Sequence, residues 1–309
     1  MTALIALPSS TAPSNLAALG EHLTARLASA LDAHLSRAQQ WYPHEYVPWD
    51  QARDFASLPW QEAQSRLAPA VRAAVQLNLL TEDNLPGYHG EIARVLGRSD
   101  AWKTWLDRWT AEEGRHAIAL RDYLTVTRAV DPVALEDDRM ATVSGGFSAG
   151  ARDGLRVIAY VSLQELATRV AHRGTGKLSD DPGLDRLLAR ISTDENLHMV
   201  LYRDLFEAAL EIDPVAALQA LTAEVAGFQM PGTGIPGFVR RAAAVARAGI
   251  YDLAIHRDQV VTPLLRYWRV LERDLPPAAE AERDLLVGVL EEIDRRVAKQ
   301  QARQPAVAR

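Results

Sequence analysis

An all-α protein is what this sequence predicts, and three observations predict it. Alanine, leucine, arginine and glutamate dominate the chain, and glycine and proline fall in a few clusters. No stretch alternates polar with apolar residues at period two for long enough to supply a set of strands. The 309 residues are 48% hydrophobic and 24% charged, enough for a sizeable core. We read 1–309 as a single helical domain whose ends, about 1–14 and 300–309, are loose tails with little apolar surface to anchor them.

Taken in order, the first helix covers about 15–40 and stops where 41–48 brings two prolines. The second covers 60–97 and contains Pro86, which removes an amide donor and crowds the preceding turn, so the helix should kink or end there. Ser99 is a suitable N-cap for the third, 99–130. The Ser144-Gly145-Gly146 break precedes the fourth, 149–173, and Gly174-Thr175-Gly176 closes it. The fifth, 182–210, ends before Asp213-Pro214, which opens the sixth, 214–228. A loop at 230–237 separates the seventh, 237–249; Asp252 caps the eighth, 252–275, and the last covers 277–303.

Composition removes several function classes. There is no cysteine, which excludes disulfide frameworks, thiolate-bound zinc or iron–sulfur centres, and thiol nucleophiles. With 34 basic and 40 acidic side chains the net charge is −6, against nucleic acid as the main partner. No window reaches the roughly 20 apolar residues of a membrane span. The N-terminal stretch lacks the basic n-region of a secretory signal, so the expected compartment is cytoplasmic.

The chemistry is carried by a repeated pattern. Of eight histidines, only His116 and His198 have a glutamate three positions earlier, in Glu113-Gly-Arg-His116 and Glu195-Asn-Leu-His198. Glu and His at i and i+3 share a helix face, about 5–6 Å apart at Cβ, and both can reach one metal ion. One such pair means little. Here Glu82 precedes Glu113 by 31 residues and Glu165 precedes Glu195 by 30, so a helix with one Glu, a turn and a helix with E-x-x-H occurs twice. Corresponding ligands lie 83 residues apart (Glu82 to Glu165) and 82 apart (Glu113 to Glu195), as for two hairpins about a pseudo-twofold axis. Four carboxylates and two imidazoles around a bundle core are the ligand set of ferritin-like di-iron and di-manganese proteins. Packed together without metal, those carboxylates would repel; two divalent ions neutralise them. Donors without thiolate favour Fe(II) or Mn(II) over structural zinc, and we expect a pair of iron ions. Each E-x-x-H follows another acid, and we expect Asp194 to bond His116 and Glu112 to bond His198 across the halves.

These motifs resemble those of the soluble acyl-acyl carrier protein desaturases, over about 41–270. Trp-Thr-Ala-Glu-Glu-Gly-Arg-His (109–116) resembles the family's W-T-A-E-E-N-R-H, and Thr-Asp-Glu-Asn-Leu-His (193–198) resembles A-D-E-K-R-H. Thr-Glu-Asp-Asn-Leu-Pro-Gly-Tyr (81–88) is similar to T-E-E-A-L-P-T-Y, and Leu-Gln-Glu-Leu-Ala-Thr (163–168) to F-Q-E-R-A-T. Trp-Tyr-Pro-His-Glu-Tyr-Val-Pro (41–48) is similar to W-Q-P-Q-D-F-L-P. The resemblance implies a ferritin-like bundle with extra packing helices and iron ligands Glu82, Glu113, His116, Glu165, Glu195 and His198. It implies Thr168 beside the oxygen-binding face, and electron entry from a surface Trp41 through Asp194 to His116. It further implies O2 as co-substrate, an acyl chain on acyl carrier protein, a ferredoxin-type donor and a homodimer. A related di-iron hydroxylase or N-oxygenase, with the same ligands and a different pocket, is the alternative.

Some neighbours depart from the family. Gly114 replaces an Asn in mid-helix, which points to close helix packing or a local distortion, and Gly90-Glu91-Ile92-Ala93-Arg94 replaces small or apolar positions. Tyr88, Ile92, Val95, Val157 and Ile158 are candidates to line an acyl tunnel; Arg186, Arg190, Arg240, Arg241, Arg247 and Arg257 are candidates to face the acidic carrier.

Overall fold

The structure, a computed structural model, describes residues 16–97 and 100–302. The tails outside that range and the Ser99 cap lie outside the described residues. Among those described, all regular structure is helical, as predicted. The helices are α1 (Leu16–Arg37), α2 (Pro69–Glu82), α3 (Leu85–Leu96), α4 (Asp100–Val126), α5 (Pro132–Gly145) and α6 (Gly154–Leu178). There follow α7 (Pro182–Ile212), α8 (Pro214–Gly227), α9 (Phe238–Arg247), α10 (Leu253–His256), α11 (Thr262–Tyr267) and α12 (Pro277–Gln301). None of the described helices is long and apolar enough to cross a membrane.

Local chemistry explains most of the starts. Asp131, Asp153, Asp181, Asp213 and Asp252 each accept a hydrogen bond from a free amide of the following turn, and Asp131, Asp181 and Asp213 precede a proline at the first helical position. The core of the bundle is α2, α4, α6 and α7. α1 lies along α7 and α4 with Leu23, Leu27, Leu31 and His34 inward, a single stripe at spacings of four, four and three. α8 backs α6, α12 backs α8, and α9 covers α2.

Several expected boundaries move, each for a physical reason. The helix expected over 60–97 is two: α2 starts at Pro69, and residues 83–84 break the chain so that Pro86 sits in the first turn of α3, where its missing N–H costs nothing. The first half of the repeat therefore has α3 inserted between its two ligand helices, whereas residues 179–181 suffice in the second. α5, absent from the expected set, is signalled by Asp131-Pro132, an N-cap followed by proline. The helix expected over 252–275 is split by a π turn, Arg257–Val261, just before Pro263, which cannot donate to the carbonyl of Gln259, and it ends at Tyr267.

The Gly174-Thr175-Gly176 break does not exist: α6 runs through it. These glycines serve packing. A Cβ on Gly174 would lie 2.6 Å from the Ile250 carbonyl oxygen, and one on Gly176 would lie 2.7 Å from Asp185 Oδ1. Gly114 is the opposite case, since a Cβ there would meet nothing within 4 Å. Gly174→Ala should therefore destabilise the protein by about 1–3 kcal/mol through overpacking. Gly114→Ala should be neutral or stabilise it by up to about 1 kcal/mol through helix propensity. Thermal melts of both variants check the pair.

Candidate metal centre

Glu82 is the last residue of α2, and α4 contributes Glu112, Glu113 and His116. α6 brings Glu165, Thr168 and His172, and α7 brings Asp194, Glu195 and His198. All six expected ligands are buried, His116 and His198 completely. The structure brings them together as two overlapping groups, Glu82–Glu113–His116–Glu195 and Glu113–Glu165–Glu195–His198, whose donor atoms lie within 4.8 Å of one another. Glu113 and Glu195 belong to both. His116 Nδ1 is 3.1 Å from Glu113 Oε2, 3.4 Å from Glu195 Oε1 and 3.7 Å from Glu82 Oε2. His198 Nδ1 is 2.8 Å from Glu113 Oε1 and 3.6 Å from Glu165 Oε2.

Four atoms at the centre, Glu113 Oε1, Glu165 Oε2, Glu195 Oε1 and His198 Nδ1, are buried and make no well-aligned hydrogen bond, although His198 Nδ1 and Glu113 Oε1 lie 2.8 Å apart. Buried polar atoms are ordinarily satisfied, so four converging orphans need an account, and cations between them supply it. The electrostatics agree. Burial, then the charge of Glu195, pushes the carboxyls of Glu113 and Glu165 up. Burial works in the same direction on Glu82, but His116 and His172 overcome it and hold that carboxyl well below the usual range. Burial alone would lower His116 and His198; the surrounding carboxylates hold both imidazoles well above their ordinary value. Protons thus neutralise the cluster in the absence of metal, in the positions that two divalent ions would take.

The two flanking acids bond across the halves. Asp194 Oδ2 lies 3.4 Å from His116 Nε2, and Glu112 Oε2 lies 3.0 Å from His198 Nε2. With each Nε2–H directed at an acid, each Nδ1 faces the cluster, and its proton is the one a metal ion would displace. Trp41 Nε1 donates to Asp194 Oδ2 at 2.7 Å. Trp41 is not on the surface: it is 3% exposed, because the guanidinium groups of Arg115 and Arg190 lie 5.1 and 5.9 Å from its ring centroid. Thr168 Oγ1 is 2.6 Å from Glu195 Oε2, closer than to the carbonyls of Glu165 (3.0 Å) and Gln164 (3.2 Å), and it has a single proton to give. Glu165 also accepts from Trp109 Nε1 at 3.2 Å.

Sequence reasoning missed two histidines here. His172 Nε2 is 3.2 Å from Glu82 Oε1, and its Nδ1 is 3.1 Å from Asn78 Nδ2. Its signal was available, since i+7 from Glu165 lies on the same helix face. His34, on α1, approaches Glu112 and had no comparable signal.

An apolar cavity adjoins the cluster, with Glu82, Glu113 and Trp109 in its wall and Leu85, Tyr88, Ile92, Val157 and Val161 along it. Val95 and Ile158, expected in the same tunnel, line a different pocket, between α1 and α6. Glu91 reaches this cavity too and is occupied structurally, accepting from the Ala149 amide at 3.0 Å and pairing with Arg94. Among the arginines considered for a partner surface, Arg190 is buried against Asp194, Arg241 pairs with Asp138, and Arg257 pairs with Asp258 and Asp294. Arg186 donates to the Glu45 carbonyl. Arg240 and Arg247 stand exposed on α9.

A family model described as fatty acid desaturase matches residues 17–309. A Mycobacterium tuberculosis protein named "Putative acyl-[acyl-carrier-protein] desaturase DesA1" is 47% identical over 276 residues, covering 85% of this chain and 82% of its own. The Arabidopsis thaliana chloroplastic protein named stearoyl-[acyl-carrier-protein] 9-desaturase 6 is 33% identical over 199 residues, 59% of this chain and 51% of its own. Among solved structures, that of "putative acyl-ACP desaturase DesA2" from Mycobacterium tuberculosis is 30% identical and superposes with a TM-score of 0.71 over 86% of this chain and 99% of its own. The match spans every helix that carries the cluster, and the chain belongs to the fatty acid desaturase family.

Proposed function

We propose that this protein is an acyl-acyl carrier protein desaturase that uses O2 and two iron ions, held by Glu82, Glu113, His116, Glu165, Glu195 and His198, to place a double bond in a fatty acyl chain. One observation carries the reading: the six-ligand cluster forms part of the wall of an apolar cavity. Bound iron would supply the oxygen-dependent removal of two hydrogens from unactivated methylenes, which no side-chain acid or base can perform. The chain's own residues do the rest. Leu85, Ile92, Val157 and Val161 hold the alkyl chain dry beside Glu82 and Glu113, so that position selects the bond attacked. Thr168 fixes Glu195 and stands at the oxygen-binding side; Trp41, buried beneath Arg115 and Arg190, bonds Asp194, which in turn bonds His116, and this line serves electron entry from a ferredoxin-type donor. Of the six arginines considered, Arg240 and Arg247 are the two exposed on α9, and they meet the acidic carrier protein. The working form is a cytoplasmic homodimer.

The test is anaerobic loading with Fe(II), then O2, acyl carrier protein substrates of several lengths, and ferredoxin with its reductase. Unsaturated acyl products are expected. Hydroxylated products would replace this reading with a di-iron hydroxylase. Ligation must also displace the protons held by His116, His198, Glu113 and Glu165, whose proton affinities are all raised in the metal-free protein. Fe(II) affinity should therefore rise with pH and weaken on acidification, with protons released on binding; anaerobic titrations at about pH 6 and pH 8 measure both.

A further inference from the structure

The pseudo-twofold axis makes Asp194 and Glu112 equivalent, yet different groups hold these two acids. Asp194 receives the Trp41 indole N–H, with Arg115 at 3.3 Å and Arg190 alongside. Glu112 receives Arg108 Nε on Oε1 at 2.6 Å, and its Oε2 lies between two imidazoles, 2.9 Å from His34 Nε2 and 3.0 Å from His198 Nε2. His34 comes from α1, outside the duplicated unit, and is 4% exposed. Its ring stacks on that of His198 at 5.7 Å between centroids, and Trp105 packs edge-on against both, at 5.0 and 5.9 Å.

A carboxylate oxygen between two ring nitrogens is satisfied when both rings carry a proton on Nε2. For His198, a proton kept on Nε2 leaves Nδ1, which faces Glu113 and Glu165, as the nitrogen that gives up its proton to a metal ion. Removing the His34 donor would leave Glu112 with Arg108, and with Arg115 at 3.9 Å, on the opposite oxygen, free to rotate toward them and release the His198 ring. We propose that His34 is a positioning residue for the His198 half of the metal centre, acting through Glu112 as Trp41 acts through Asp194 on the His116 half. The inference rests on the di-iron reading and adds a residue that neither the E-x-x-H repeat nor its flanks contain.

His34→Phe keeps a planar ring and deletes the donor; His34→Gln keeps an N–H within reach. In anaerobic Fe(II) titration the wild type should bind two irons. His34→Phe should hold one normally and bind the other more weakly, by up to about 10–100-fold, the range for loss of a group bonded directly to a metal ligand, from which His34 is one contact removed. Mössbauer spectra should show one of two iron components depleted, and His34→Gln should restore it. A folded His34→Phe protein with both irons at wild-type affinity and an unchanged spectrum would overturn the proposal. So would equal loss of both components, or a His34→Gln protein no better than His34→Phe. Should His34→Phe not fold, His34→Met, which removes the donor with a flexible side chain, is read in the same way. A wild type that takes up no iron would overturn the di-iron reading itself, and this inference with it.

Discussion

Glu195→Ala should strip both irons from the protein and reduce desaturation to background. Glu195 is one of two carboxylates shared by the two ligand groups, and it is fixed from both sides, by Thr168 Oγ1 at 2.6 Å and His116 Nδ1 at 3.4 Å. Loss of a side chain that only orients a ligand costs about 10–100-fold in metal affinity, so loss of a carboxylate serving both ions should exceed 100-fold for each. Glu165→Ala provides the contrast. Glu165 belongs only to the group that contains His198, so its removal should release that iron first and abolish turnover while the His116 side retains metal. Iron per chain by elemental analysis, with circular dichroism to show that both variants are folded, separates ligand loss from misfolding. Two tightly held irons in Glu165→Ala would mean that the six side chains are not the ligand set.

The buried carboxylate–histidine cluster was legible in the sequence because its information is local. An i, i+3 pair depends on one helical turn, and its repetition at nearly equal spacing makes accident a poor account of Glu113, His116, Glu195 and His198. The acids that bond across the halves followed from the same symmetry, and the distances of 3.4 and 3.0 Å agree with that pairing. What was not legible depends on tertiary contact. Gly174 and Gly176 look like a turn until Ile250 and Asp185 are seen to need their missing Cβ atoms. Arg190 resembles a solvated helix cation, yet Asp194 and Trp41 take it into the interior. His34 lies 78 residues from Glu112, a separation at which no periodicity operates. α5 was missed for a different reason: the Gly145-Gly146 signal behind it outweighed a valid Asp-Pro start in front.

Val161→Phe should leave iron in place and still lower turnover of long acyl chains by about 100-fold, the scale on which misplacement by an ångström acts. Val161 lies one turn before Glu165 on α6, is 5% exposed, and lines the cavity together with Leu85 and Ile92 of α3. A larger ring there occupies the volume beside the ligands without replacing any of them. The cost in stability should be about 1–3 kcal/mol, the range for a larger side chain in a packed site. Val95→Phe is the matched control. Val95 was a tunnel candidate by sequence and Val161 was not, but Val95 faces a separate pocket with Leu23 and Ile158, so enlarging it should cost comparable stability and leave turnover near wild type. Measuring products from short and long acyl-carrier-protein substrates on both variants then decides which space holds the chain. Selective loss on long chains in Val161→Phe assigns it to the cavity beside Glu82 and Glu113; undiminished turnover there, or an equal loss in Val95→Phe, would place the acyl chain elsewhere.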